Sequence, residues 1–239
     1  MKLLRAAAVA VIAAAPLFAS AGLVSVFFEK TWDHANGDVN EFYNGGTAAD
    51  GSSGGPNLGI SFVNVSGLSN DALNTYYNKG SLGSSIGVAY AHDSAFMNMT
   101  EAAIGSFAFY YSSPAAVIGG VKIWSGLNGT GTLLGSINLA VNNTAALYDT
   151  WTFASGTFSG LARSFDFSAG AATAGFKGVA FDDIAVFSVP LPVPEPSTVL
   201  LMLVGGAALL RAKTHRVAPD SGRLRERGRP ASITARSLA

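Results

Sequence analysis

The sequence predicts an all-β protein, an antiparallel β-sandwich of jelly-roll or lectin-like type. From Gly59 onward short apolar runs recur between Gly, Asn, Ser and Pro, several alternate with a period of two, and no long amphipathic helix interrupts them. Seven to nine such runs at that spacing favour two packed sheets over an α/β layout.

The strands are expected at Ile60 to Val65, Ser85 to Tyr90, Ile104 to Tyr111, Gly120 to Trp124, Leu133 to Leu139, Thr150 to Phe153, Ser164 to Phe167 and Gly178 to Val189. Phe107, Phe109 and Tyr111 share one face, as do Val121, Ile123 and Ser125. Gly126 to Gly131 carries glycines at phosphate-loop density, but no helix or Gly-Lys-Ser/Thr follows, so Asn128-Gly129 reads as a hairpin turn. Thr31 to Gly59 is rich in Gly, Asn, Asp and Ser and reads as long loops; Asp71 to Tyr77 could make a turn or two of helix. Trp124 and Trp151 sit in apolar segments and are expected in the core.

The ends have a different character. Lys2 and Arg5 precede an apolar run from Ala6 to Phe18, and Ala19-Ser20-Ala21 offers small residues where signal peptidase reads, so residues 1–21 are expected to be a signal peptide cleaved before Gly22. Val24 to Phe28 is still apolar, which leaves a later site or an uncleaved anchor open. Near the other end Pro194, Glu195 and Pro196 give rigid backbone that lacks an N–H at each proline. Ser197 or Thr198 can cap the uncharged segment that follows. That segment runs to Leu210, and Arg211, Lys213 and Arg216 then hold its end on the cytoplasmic side. Ser197 to Leu210 spans only about 21 Å as a helix, short of the roughly 30 Å of hydrocarbon, so snorkelling or local thinning is required.

The order of these parts, Pro194-Glu195-Pro196-Ser197-Thr198, apolar helix and basic cluster, resembles the PEP-CTERM sorting signal of Gram-negative surface proteins. That resemblance implies export across the inner membrane, transient anchoring there and processing by exosortase. Release or attachment at the cell surface follows, often alongside exopolysaccharide and biofilm. The basic cluster usually ends such proteins; here a basic tail continues to Ala239. The expected organisation is a signal peptide (1–21), an extracellular sandwich (22–189), a sorting signal (190–216) and a disordered tail (217–239). The segments Phe107 to Ser112, Val121 to Gly131, Phe158 to Phe167 and Val179 to Ile184 are also similar to the body of many PEP-CTERM proteins and to lectin-like or carbohydrate-binding jelly rolls.

Between Gly22 and Pro194 there are five basic residues and twelve acidic ones, a formal charge of −7 hidden by the neutrality of the whole chain. Such a body argues against nucleic acid and leaves neutral glycans or divalent cations as partners. There is no cysteine, which excludes disulfides, thiolate zinc sites and cysteine nucleophiles. Calcium, a hard cation, could be held by Asp33 and Asp38 from the N-terminal loops with Asp182 or Asp183 from the last strand; Glu41 and Asp50 lie in the same loop region. Being adjacent, Asp182 and Asp183 would face opposite sides of a strand. Trp32, Tyr43, Tyr76 and Tyr77, as loop aromatics, are the candidates for stacking sugar rings. No nucleophile elbow or zinc-protease helix accompanies His34 and His92, so a non-enzymatic surface or matrix protein is expected. The alternatives are a carbohydrate-binding module and a secreted glycan hydrolase, since two carboxylates placed by the fold would suffice for the latter.

Overall fold

The computed structural model describes residues 21–33, 35–69, 86–143, 148–174 and 178–191. They form eight antiparallel strands: β1 (Gly22–Val26), β2 (Ile60–Ser69), β3 (Gly87–Ser112), β4 (Val117–Trp124), β5 (Leu133–Leu139), β6 (Thr152–Thr157), β7 (Ala162–Asp166) and β8 (Ala180–Val189). Single 3-10 turns at Phe42–Asn44 and Ser168–Gly170 are the described helical elements.

Strand β3 builds both layers. Its first part pairs with β2, with β8 at Ala89 and Tyr90 and, at Phe96 to Asn98, with β7; its last part pairs with β6 and β8. All eight strands are hydrogen-bonded into one sheet through β3, which folds it into two layers, β1-β8-β3-β6 and β2-β3-β7-β4-β5. The two strands expected at Ser85 to Tyr90 and Ile104 to Tyr111 are thus one. The polar segment His92-Asp93-Ser94 that separates them in sequence is a register break within the strand, where Ser94 takes a φ of 58°, and Gly105 (φ 78°) marks a second. Polar residues at a bulge bend a strand without ending it.

The inner faces are aromatic and aliphatic. Phe107, Phe109 and Tyr111 from one layer and Val121, Ile123 and Phe165 from the other are all buried, as the alternation requires. Phe107 stacks on Phe165 with ring centroids 4.2 Å apart, and Phe167 lies edge-on to Phe181 at 4.7 Å. The sequence did not single out β1, whose apolar residues read as the continuation of the signal segment. It pairs with β8 from Gly22↔Ser188 to Val26↔Ile184 and buries Val26 completely.

Between β4 and β5, Asn128 and Gly129 both have positive φ (52° and 68°), the conformation a type I′ turn demands, and Thr130 N–H closes it on the Leu127 carbonyl at 3.2 Å. The expected hairpin is present, and it folds back on the outer face of its own layer. Asn98 and Asn128 exchange hydrogen bonds (2.7 and 2.8 Å), and Ser164 Oγ accepts from the Gly129 N–H at 3.0 Å. Trp124, expected in the core, is instead half-buried on that outer face, out of phase with Val121 and Ile123. Trp151 is half-buried against a small second cluster of Val88 and Ala180.

Candidate functional site

Two of the loop aromatics expected to stack sugars are core residues. Trp32 is 3% exposed, and all its surfaces are used. Its Nε1 donates to the Phe28 carbonyl at 2.9 Å, its ring lies on the bare backbone of Gly67, and Lys30 Nζ sits 4.3 Å over it. Tyr43 is buried among Phe28, Phe42 and Phe62, and its hydroxyl donates to the Phe27 carbonyl. Burial, aided by the nearby carboxylates of Asp182 and Glu29, pushes its phenol well above the usual range. Loop composition located these rings correctly in sequence, but the loop is packed across the sandwich and turns them inward. Tyr76 and Tyr77 lie outside the described residues, as do His34, Ala19, the sorting motif Pro194 to Thr198 and the cluster Arg211, Lys213 and Arg216. Ala21 is described, exposed, just before β1.

The four aspartates expected to hold calcium do not come together. Asp33 is exposed and accepts from the Ala35 N–H at 2.9 Å. Asp38 accepts from Ser66 Oγ. Asp182 is fully buried and accepts from the Asp183 N–H at 2.8 Å, while Asp183 is half-exposed on a bulge with a φ of 47°. Among the described residues no three acidic or histidine side chains are placed to share a metal ion. The bulge removes the simple opposite-face alternation the pair was expected to follow.

A second polar cluster escaped the sequence reading because its members are far apart in the chain. Ser66 Oγ lies between Asp38 and His92 Nε2 (2.8 Å), and the His92 ring is edge-on to Tyr90 at 5.0 Å. In nucleophilic triads the imidazole bridges serine and carboxylate. Here the serine is central, and its one proton goes to Asp38, so His92 is not placed to deprotonate it for attack. The cluster ties the segment before β2 to the β2–β3 pair.

The outer face of the β1-β8-β3-β6 layer exposes large apolar side chains, Leu23, Phe153 and Phe187 among them. Cross-strand registers set its rows: Leu23, Phe187 and Ile104 form one, Ser25, Ala185, Ala108 and Ser155 the next, Ser106 and Thr157 a short one, and Tyr110 with Phe153 another. On its β8 side the Tyr110 row continues to Asp182, which is buried, and half-exposed Asp183 lies on the bulge beside it; the other rows carry no Lys, Arg, Asp or Glu. Phe153 is 56% exposed and packs edge-on to Tyr110 at 5.5 Å. The sequence carried a signal for this. In Thr152–Thr157, Phe153 is in phase with Ser155 and Thr157, which places it on the hydroxyl-bearing side of an edge strand and not in the core.

These features define an all-β, antiparallel sandwich whose outer face on the β6 side carries an exposed aromatic pair among hydroxyls. No family model matches the chain, and no curated protein matches it. Among solved structures it is similar to CsCBM6-3 from Clostridium stercorarium in complex with cellobiose (18% identity over 52% of this chain and 93% of that one, TM-score 0.31). It is also similar to the C-terminal CBM6 of LamC, a marine laminarinase from Zobellia galactanivorans (16% identity, 52% of this chain and 100% of that one, TM-score 0.28). A further similar structure is the isomalto-dextranase of Arthrobacter globiformis T6 complexed with panose (12% identity, 70% of this chain and 33% of that one, TM-score 0.32).

Proposed function

We propose that this chain is an exported, non-enzymatic surface protein whose sandwich binds a neutral glycan across the outer face of the β1-β8-β3-β6 layer. The observation that carries this reading is the pairing of an exposed ring, Phe153 against Tyr110, with hydroxyls at Ser155, Thr157 and Ser106 on the same face. Sugar rings offer C–H faces to aromatics and hydroxyls to polar side chains, so such a face meets both needs. Export and sorting rest on the residue pattern at the two ends: the Ala19 and Ala21 positions for signal peptidase, and Pro194 to Thr198 with Arg211, Lys213 and Arg216 for exosortase. Exopolysaccharide at the cell surface is then the natural glycan.

The test is calorimetric titration with neutral and acidic oligosaccharides, comparing the native chain with Phe153→Ala and Ser155→Asp. Binding of a neutral glycan that both substitutions abolish supports the reading. Binding untouched by either, or turnover of the glycan abolished by loss of one acidic residue, overturns it. Sorting is tested separately: a product ending near Pro194 to Pro196 in the surface fraction supports it, and a host that lacks exosortase counts against it.

A further inference from the structure

The dipeptide Asn-Gly occurs three times in the chain, at Asn36-Gly37, Asn44-Gly45 and Asn128-Gly129. It carries a latent reaction. The backbone nitrogen that follows the asparagine can attack the side-chain amide carbon, and a glycine there, having no Cβ, leaves the approach open. The attack needs an amide free to turn and an N–H that no acceptor holds.

The fold withholds both freedoms at two of the three places. Asn128 Oδ1 accepts from Asn98 Nδ2 at 2.7 Å, and the Gly129 N–H, which would be the nucleophile, donates to Ser164 Oγ at 3.0 Å. Asn44 is half-buried, its Nδ2 donating to Glu41 Oε2 at 2.8 Å and its Oδ1 accepting from Thr100 Oγ1 at 3.5 Å. Asn36 differs. It is exposed in a bend, after the turn in which Ala35 N–H closes on Asp33 Oδ1 and before the segment that covers the far side of β2. Among the described residues neither its amide nor the Gly37 N–H has a hydrogen-bond partner.

We propose that Asn36-Gly37 is a self-modifying site, which the folded chain converts with water to an aspartyl or isoaspartyl linkage. The Gly37 nitrogen bonds to Asn36 Cγ, the Cγ–Nδ2 bond breaks, and ammonia leaves with the proton that Gly37 carried. Water then opens the imide ring. Attack at Cγ restores the normal backbone with a carboxylate side chain; attack at the backbone carbonyl routes the chain through Cγ and leaves the α-carboxylate pendent.

Either product adds negative charge between Asp33 and Asp38, and the isoaspartyl form also inserts a methylene into the backbone directly before Gly37. Gly37 has no room to absorb it. Its carbonyl accepts from Gly67 N–H at 2.8 Å, and a Cβ on it would lie 2.6 Å from the Gly67 carbonyl oxygen. Asp38 then bridges to Ser66, and Val39 N–H donates to the Val65 carbonyl at 2.9 Å. The insertion therefore strains the seam that closes β2, and Gly67, on which Trp32 is seated, moves with it. This inference stands on the bend itself and requires neither glycan binding nor sorting.

The full chain is incubated at mildly alkaline pH in heavy-oxygen water, folded and in urea, beside Asn36→Gln, and its peptides are mapped by mass. In the folded chain label is expected in the Asn36 peptide at least about tenfold faster than in the Asn44 and Asn128 peptides, whose hydrogen bonds must first break. In urea the three rates are expected to converge, and Asn36→Gln abolishes the fast label. The isoaspartyl product, isolated by chromatography, is expected to show red-shifted tryptophan emission and faster proteolysis within residues 31–59. Folded-chain conversion at Asn36 no faster than at the other two, or a ranking unchanged in urea, overturns the site. An isoaspartyl product with the emission and protease resistance of the unconverted chain overturns its effect on the seam.

Discussion

Phe107 of β3 and Phe165 of β7 stack across the sandwich, 4.2 Å between centroids and 19° between planes, and among the described residues this is the shortest ring-to-ring distance between the two layers. Both are fully buried, and each also meets a third ring: Phe107 touches Phe109 and Phe165 touches Phe158. Replacing Phe165 by Ala removes one side of the stack and leaves a cavity the β-scaffold cannot fully close. The expected cost is about 3–5 kcal/mol, read as a lower urea midpoint with an unchanged slope. A change of less than about 1 kcal/mol would mean that the layers are held elsewhere.

Gly67 and Trp32 make the next prediction. A Cβ at Gly67 would lie 2.1 Å from the indole ring, and the ring is pinned on its other sides by the Phe28 carbonyl, Phe42 and Lys30. Gly67→Ala must therefore push Trp32 out of its seat. The expected outcome is a loss of about 1–3 kcal/mol together with a red shift of tryptophan emission, since a displaced indole meets water. An unchanged spectrum would show that the ring is not packed there.

The strands that alternate, such as Phe107 to Tyr111 and Val121 to Ile123, were legible in the sequence, because an inner face of a sandwich imposes a period of two on side-chain chemistry. Asn128-Gly129 was legible because few residue pairs accept two consecutive positive φ values. What was not legible depended on distant partners. Trp32 reads as a loop residue until Gly67, thirty-five positions away, supplies its seat. The polar break at His92 to Ser94 looks like a strand end until the pairing with β2 carries the chain through it. Trp124 sits in an apolar segment and was expected in the core, although being out of phase with Val121 and Ile123 assigns it to the outer face. Composition reports what a segment is made of; the side it turns to the core is set by its neighbours.

Lys30 Nζ donates to Asp50 Oδ2 at 2.6 Å, and Ser52 donates to Asp50 through its backbone N–H (2.9 Å) and its hydroxyl (2.5 Å). Burial alone would raise the Asp50 carboxyl. Hydrogen bonds from Lys30 and Ser52, with the charge of Lys30, outweigh it and lower the pKa from 3.8 to about 2. A carboxyl whose folded pKa is depressed contributes stability that is fully present above the unfolded pKa and is lost as pH falls through the folded one. The native chain should thus lose stability between about pH 4 and about pH 2, and Asp50→Asn should flatten that part of the profile while lowering stability at neutral pH. Lys30→Met is expected to act in the same direction. Parallel profiles for native and Asp50→Asn chains in denaturant titrations at several pH values would remove the ion pair from the account.

The pairing of Gly22 with Ser188 bears on processing. If the N-terminal segment is cleaved as its sequence implies, the cut cannot fall within the apolar residues Val24 to Phe28 without removing what β8 needs beside it. Val26 and Phe28 are both fully buried, and their side chains are worth about 1.5–3 kcal/mol each. The exported chain is therefore expected to begin at Gly22, as read by N-terminal sequencing and intact mass of the surface fraction. A chain whose export signal is joined directly to Glu29 should be less stable by several kcal/mol and more easily proteolysed, because Val186 and Ile184 lose their cover. Recovery of a native product that starts after Phe28 with undiminished stability would show that β1 is not part of the mature fold.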